Sequence, residues 1–154
     1  MLAAVLTVST GVAHGAREDR SGSELLECCR AAGLDTAHEV VADDRDAIAR
    51  ALVRFADESG ARFIFTTGGT GMTPDDVTPE ATLAVIEREA PGYAETIRAT
   101  SRAHTPLGIL SRGVSGIRGR TLIINFPGSP KSIRQSWPVV EPTLGHAAAT
   151  LERA

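Results

Sequence analysis

Aromatic residues are scarce in this chain, with one Trp, one Tyr and four Phe. So few rings exclude a surface that holds single strands by stacking their bases. The net charge of -3 argues against a general nucleic-acid binder, which is normally basic. Lysine is nearly absent: Lys131 stands alone beside 15 arginines. The only cysteines, Cys28 and Cys29, are neighbours. Adjacent helical residues point to different sides, so no bridge between them is expected, and no CxxC metal spacing exists. Reduced thiols fit a cytoplasmic protein. His14, His38, His104 and His146 share no metal spacing, so each reads as structural or exposed. No apolar run approaches the ~20 residues of a membrane span. The opening MLAAVLTV lacks a basic start and is too short for a secretory leader, so it reads as a first strand.

What remains is ordinary globular composition, 42% hydrophobic and 23% charged. A chain of 154 residues is expected to form one domain, residues 1–154, burying about 70% of the surface its unfolded form exposes. The stretch RFIFTTGGTGMTPDDVTP holds the strongest local signal. Phe63-Ile64-Phe65 is a short apolar run of strand formers. Gly68, Gly69 and Gly71, with Thr70 between them, leave little side chain between backbone and ligand. Thr78-Pro79-Glu80 reads as a helix start, with Thr as cap and Pro at the first helical position. Strand, Gly/Thr loop and helix N-terminus make an anion site, because free N–H groups and the positive helix end point into the loop. The loop is neither a Walker motif nor a dinucleotide fingerprint, since GK[ST] and GxGxxG are both missing.

Strands are expected at residues 3–8, 36–41, 63–65, 106–111 and 121–126. Helices are expected at 23–32, from about 46 to Ser59, at 79–89 and 93–102, and from Ser132 to Leu151. Pro138 should kink or interrupt the last helix. Residues 9–22 and 112–119 read as connections. This alternation predicts an α/β fold with three α/β/α layers and a mostly parallel sheet. Right-handed crossovers then bring the strand C-terminal ends to one edge, where such sheets bind ligands. Ser9, Asp43, the GGTG loop, Ser111-Arg112 and Pro127-Gly128-Ser129-Pro130-Lys131 should converge there.

Asp43 and Asp76 follow different strands and can share a magnesium ion with phosphate oxygens. Their bland alternative is structural: a cap on the Ile48 helix for Asp43, and a charge at the next helix's positive end for Asp76. Asp44 is assigned as a cap and Asp75 as a solvated turn acid. Arg112 can pair with a phosphate or form a structural ion pair, and Lys131 can face an anion or solvent. Trp137 reads as a packing or subunit-contact residue.

TTGGTGMTPDDVTPEAT, LSRGVSGIRGRTLIINFPGSPKSI and the earlier Gly15–Gly22 segment GAREDRSG together resemble the MogA/MoaB family of molybdenum-cofactor biosynthesis proteins and the gephyrin G domain. The resemblance runs from Val5 to about Leu151. It implies a molybdopterin-binding fold, a homotrimer, and transfer of AMP from MgATP to the molybdopterin phosphate with release of pyrophosphate. It further implies hand-over to a MoeA-like molybdenum insertase. On this reading Asp43 and Asp76 are catalytic and hold Mg2+, while Ser9, Gly68, Gly69, Thr70, Gly71, Ser111, Arg112, Pro127, Gly128, Ser129, Pro130 and Lys131 bind ATP and molybdopterin. The alternative is a carrier of the MoaB type that binds molybdopterin without catalysis. One position departs from the family: relatives commonly carry Asp after the first-strand Ser, where this chain has Thr10.

Overall fold

The computed structural model describes residues 1–153. Strands are β1 (Leu2–Val8), β2 (Asp35–Val41), β3 (Phe63–Thr67), β4 (Arg88–Glu89), β5 (Ser115–Arg118) and β6 (Thr121–Phe126). Helices are α1 (Thr10–Ala13), α2 (Arg20–Ala31), α3 (Arg45–Val53), α4 (Thr78–Val85), α5 (Gly92–His104) and α6 (Pro130–Leu151). They build one sheet in the order β2-β1-β3-β6-β5-β4. The first four strands are parallel, and β5 and β4 extend the sheet antiparallel.

The central strands are apolar on both faces because helices cover both. Alternate side chains divide between two cores. Val5, Phe63, Phe65, Ile124 and Phe126 pack with Leu25 and Cys29 of α2, Ile97 of α5, and Ile133, Trp137 and Val140 of α6. Ala4, Leu6, Ile64 and Ile123 pack on the other side with Ile48 and Leu52 of α3, Phe55 and Ala81. Trp137 is therefore a core residue: its ring meets Phe65 edge-on at 5.4 Å. Burial pushes the Cys29 thiol up to about 12, which leaves it inert as a nucleophile at neutral pH.

Several expected elements differ. Residues 106–111 form no strand but a 3-10 turn, Pro106–Leu110, whose start Thr105 caps by accepting from Leu107 N. Its apolar side chains face outward: Leu107 is 67% exposed and Ile109 62%. The helix expected over 79–89 stops at Val85, Leu83 is exposed, and Glu87 N donates to Ile117 O at 2.8 Å. That bond draws the chain into the antiparallel sheet edge, where β5 occupies residues taken for a connection. Its Ser115 is buried but satisfied, donating to Ala90 O and accepting from Ala94 N. The helix through Ile48, Leu52 and Phe55 changes to a π turn at Arg54–Glu58, and Ser59 ends up exposed. Helix α6 begins at Pro130 and runs unbroken through Pro138 and Pro142. Both prolines are exposed, so the carbonyls they leave without an N–H partner can bond water.

Met1 leads into the N-terminal end of β1, and Glu152, just past α6, pairs with Arg62 immediately before β3. Both described ends therefore sit at the strands' N-terminal edge.

Candidate active site

The opposite edge carries a cavity of about 510 Å3. Thr7, Val8 and Ser9 reach it from β1, Asp43 from the β2 exit, Gly68, Gly69 and Asp76 from the loop after β3, and Gly128 and Pro130 from the loop after β6. Residues 17–21 close the remaining wall.

The glycine loop owes its path to what glycine allows. Gly68 has φ 94° and its α-carbon sits against the Val8 carbonyl oxygen, where any β-carbon would collide. A chain of threonines braces the loop from behind. Thr78 Oγ1 donates to Gly68 O at 2.9 Å, Thr82 Oγ1 donates to Thr78 O at 2.8 Å, and Asn125 Nδ2 donates to both Thr66 Oγ1 and Thr82 Oγ1. Thr67 Oγ1 donates to Pro127 O, joining this loop to the one after β6. Thr78 is thus a buried brace and the first residue of α4, with no capping side chain; the expected cap role is corrected because its hydroxyl is spent on the loop.

Asp43 and Asp76 are held alike. Asp43 Oδ2 accepts from Thr10 N and Thr10 Oγ1, both at 3.0 Å, and Asp43 N donates back to Thr10 Oγ1. Asp76 Oδ2 accepts from Thr73 N at 3.0 Å and Thr73 Oγ1 at 2.8 Å. In each case Oδ1 accepts no hydrogen bond from the described residues. The departure at Thr10 now has a physical reading. A hydroxyl there donates to Asp43, whereas a carboxylate would repel it. Asp44, not Asp43, caps α3 by accepting from Asp46 N and Ala47 N, and Asp75 is exposed.

Arg112 does not point at the cavity. Its guanidinium donates to Gly71 O at 2.7 Å, to Asp76 O at 2.7 Å, and through two nitrogens to both carboxylate oxygens of Glu80. Its backbone N also donates to Thr70 O. The arginine is thereby a clamp on the segment from Thr70 to Glu80 and lies outside the cavity lining. Thr70, Gly71, Ser111, Pro127 and Ser129 lie outside the cavity lining as well. Ser111 Oγ accepts from Gly113 N, and Ser129 caps α6. Lys131 is exposed and also outside the lining.

The clamp carries a pH signature. The hydrogen bond from Arg112 holds the Glu80 carboxyl below its ordinary 4.5, with Coulombic attraction adding to it. A depressed folded value means the pair's contribution is full above 4.5 and is lost as pH falls through the folded value. Glu80→Gln should lower the melting temperature slightly at neutral pH and converge with wild type in acid, which flattens the acid limb of the profile. Identical acid limbs would remove Glu80 as a contributor.

The sequence reading missed the wall formed by residues 17–21. Asp19 organises it: Oδ2 accepts from Thr7 Oγ1 at 2.8 Å and lies 3.0 Å from His38 Nε2, while Oδ1 accepts from Gly22 N and caps α2. His38 is thus tied to the wall on which Asp19 and Thr7 face the cavity. An acid three residues before Gly22, at the head of an apolar helical pattern, was the available signal.

Residues 4–146 match the family described as "Probable molybdopterin binding domain". The chain belongs to that family. The molybdopterin adenylyltransferase of Helicobacter pylori J99 is 43% identical over 91% of this chain and 81% of its own length. That of Escherichia coli K12 is 38% identical over 92% and 74%. The Drosophila melanogaster molybdenum cofactor synthesis protein cinnamon matches 93% of the chain at 38% identity, but over only 24% of its own length. The crystal structure of the Thermus thermophilus molybdopterin biosynthesis enzyme MoaB superposes with TM-score 0.92 at 42% identity, covering 99% of this chain and 97% of that one. The family's fold is the three-layer α/β/α arrangement with the mostly parallel sheet described above.

Proposed function

We propose that this family member is a molybdopterin adenylyltransferase acting in molybdenum-cofactor biosynthesis, with MgATP and molybdopterin as substrates. The observation that carries the reading is the pair Asp43 and Asp76 on one cavity wall system, each anchored through one oxygen with the other left to a ligand. The relatives named molybdopterin adenylyltransferase supply the reaction. In it an oxygen of the molybdopterin phosphate attacks the α-phosphorus of ATP. A new P–O bond forms, the bond between the α-phosphorus and its bridging oxygen breaks, and pyrophosphate leaves with the electron pair. Such a transfer asks the protein for positioning and charge neutralisation more than for a covalent nucleophile.

Asp43 and Asp76 fit a Mg2+ ion: two hard oxygen donors, with the remaining positions filled by substrate phosphates and water. When bound, the ion offsets the charge of the phosphates beside two carboxylates. The glycine loop presents backbone at close range, and Ser9 caps α1 by accepting from Val12 N while lining the same cavity.

A single-turnover assay with molybdopterin and MgATP tests the proposal. Adenylylated molybdopterin and pyrophosphate in equal amounts are expected. Molybdopterin binding without either product would make the protein a carrier. The product is expected to pass to a MoeA-like insertase in the cytoplasm.

The proposal includes the homotrimer that the family resemblance implies, and exposed apolar surface supports it. Leu107, Ile109 and Leu110 are exposed on the 3-10 turn. An apolar groove of about 370 Å3 also lies among Pro91, Tyr93, Val139 and Val140. Subunit contact would remove this surface from water. Replacing Leu107 and Ile109 by Asp should shift the light-scattering mass from trimer to monomer. A wild-type monomer would end this part of the proposal.

A further inference from the structure

A site that binds phosphates beside carboxylates needs fixed positive charge, and the two cations expected to supply it do not. Arg112 is held in its clamp and, like Lys131, lies outside the cavity lining. The cations that do line the cavity are Arg17 and Arg20. Arg20 lies 3.6 Å from Glu18, both side chains largely exposed. Arg17 has no carboxylate within ion-pair distance among the described residues.

Arg17 is nevertheless seated. Its backbone N donates to Gly11 O at 3.2 Å, and its methylenes lie across Gly11. A β-carbon at Gly11 would fall 2.7 Å from Arg17 Cδ and 3.2 Å from Cγ, closer than such atoms pack. Alanine at position 11 would push the Arg17 side chain off this path. Arg17 is exposed, with its backbone tied to Gly11 and its stem resting on that glycine, and its planar fork suits two phosphate oxygens at once.

We infer that Arg17, routed over Gly11, is a phosphate-binding residue of this cavity. The inference rests on the proposed function for the identity of the ligands. The shared chemistry is a phosphoryl group, whether on the nucleotide or on molybdopterin. Four acids line the same cavity, Glu18, Asp19, Asp43 and Asp76, against the two arginines. An anion entering it therefore depends heavily on each cation present.

Titration calorimetry of the full chain with MgATP, AMP, magnesium pyrophosphate and molybdopterin provides the test, on wild type, Arg17→Ala, Arg17→Lys and Gly11→Ala. Arg134→Ala, removing an exposed arginine paired with Glu24, serves as control. Arg17→Ala should weaken its ligand about tenfold to a hundredfold, the range for losing a hydrogen bond to a charged group. Arg17→Lys should recover part of that as a point charge, and Gly11→Ala should weaken the same ligand with Arg17 still present. The control should bind like wild type. Weakening of ATP and pyrophosphate but not AMP assigns the β- and γ-phosphates. Weakening of AMP as well assigns the α-phosphate, and weakening of molybdopterin alone assigns the pterin phosphate. Wild-type affinity for all four in Arg17→Ala overturns the inference while leaving the transferase proposal intact. Wild type that binds none of them overturns both.

Discussion

Asp76→Asn is expected to reduce single-turnover adenylylation by about two to three orders of magnitude, the range seen when one preorganised electrostatic contact is removed from a transition state. The expectation depends on what the substitution keeps. Asn offers an amide oxygen where Oδ2 now accepts from Thr73 N and Thr73 Oγ1. Arg112 continues to hold the Asp76 carbonyl, which the substitution does not touch. The loop should therefore stay folded while the negative charge and the ligand-facing carboxylate oxygen are lost. Comparison of Asp76→Asn with wild type at saturating ATP and raised magnesium separates the two roles. Rescue by magnesium points to weakened cation binding, and a rate deficit that persists points to the transfer step. Near-normal product formation at ordinary magnesium would remove Asp76 from the chemistry. Melting temperatures within a few degrees would exclude misfolding as the cause.

Phe65→Ala should produce the largest loss of stability, about 3–5 kcal/mol. That is a large part of the ~5–15 kcal/mol that stabilises a domain. Phe65 is fully buried in β3 and sits at the centre of the aromatic cluster. Its ring stacks with Phe63 at 5.9 Å and meets Phe126 at 5.8 Å and Trp137 at 5.4 Å edge-on. These contacts tie β3, β6 and α6 together below the two loops that line the cavity. Ala leaves a void that strands on both sides prevent from closing. Urea unfolding followed by Trp137 fluorescence would measure the shift, and a loss under 1 kcal/mol would mean the core repacks freely.

The parallel centre of the fold was legible because strands buried on both faces read as apolar runs: LAAVLTV, FIF and TLIINF all signal themselves. The edge was not. Residues 115–118 contain Gly116 and Arg118, poor strand formers by pattern. Their pairing is set by β6 across the tight turn Gly119-Arg120 on one side, and by β4, far earlier in the chain, on the other. PLGIL looked like a strand from composition, yet it opens on Pro106 directly after Thr105, where a hydroxyl cap and a missing N–H favour a tight turn. Carboxylates that share a sheet edge could be read from topology, so the placement of Asp43 and Asp76 at the cavity was legible. Arg112 could not be placed, since a guanidinium reaches a phosphate or a backbone carbonyl with equal chemistry. Only the positions of Gly71 O, Asp76 O and Glu80 decide between them. Arg17 was missed for the opposite reason, since its importance lies in empty space over Gly11, which sequence patterns do not display.

The two described ends of the chain lie at the strands' N-terminal edge, across the full sheet from the cavity. Anything joined to them leaves the cavity mouth clear, so the domain can be carried as a cassette within a longer polypeptide. The cinnamon protein, in which a segment like this makes up about a quarter of the length, shows such an embedding. For the same reason a surface-tethering tag placed before Met1 should hold this protein with its cavity facing solution, and a neighbouring enzyme fused there would stand behind the cavity edge, not over it.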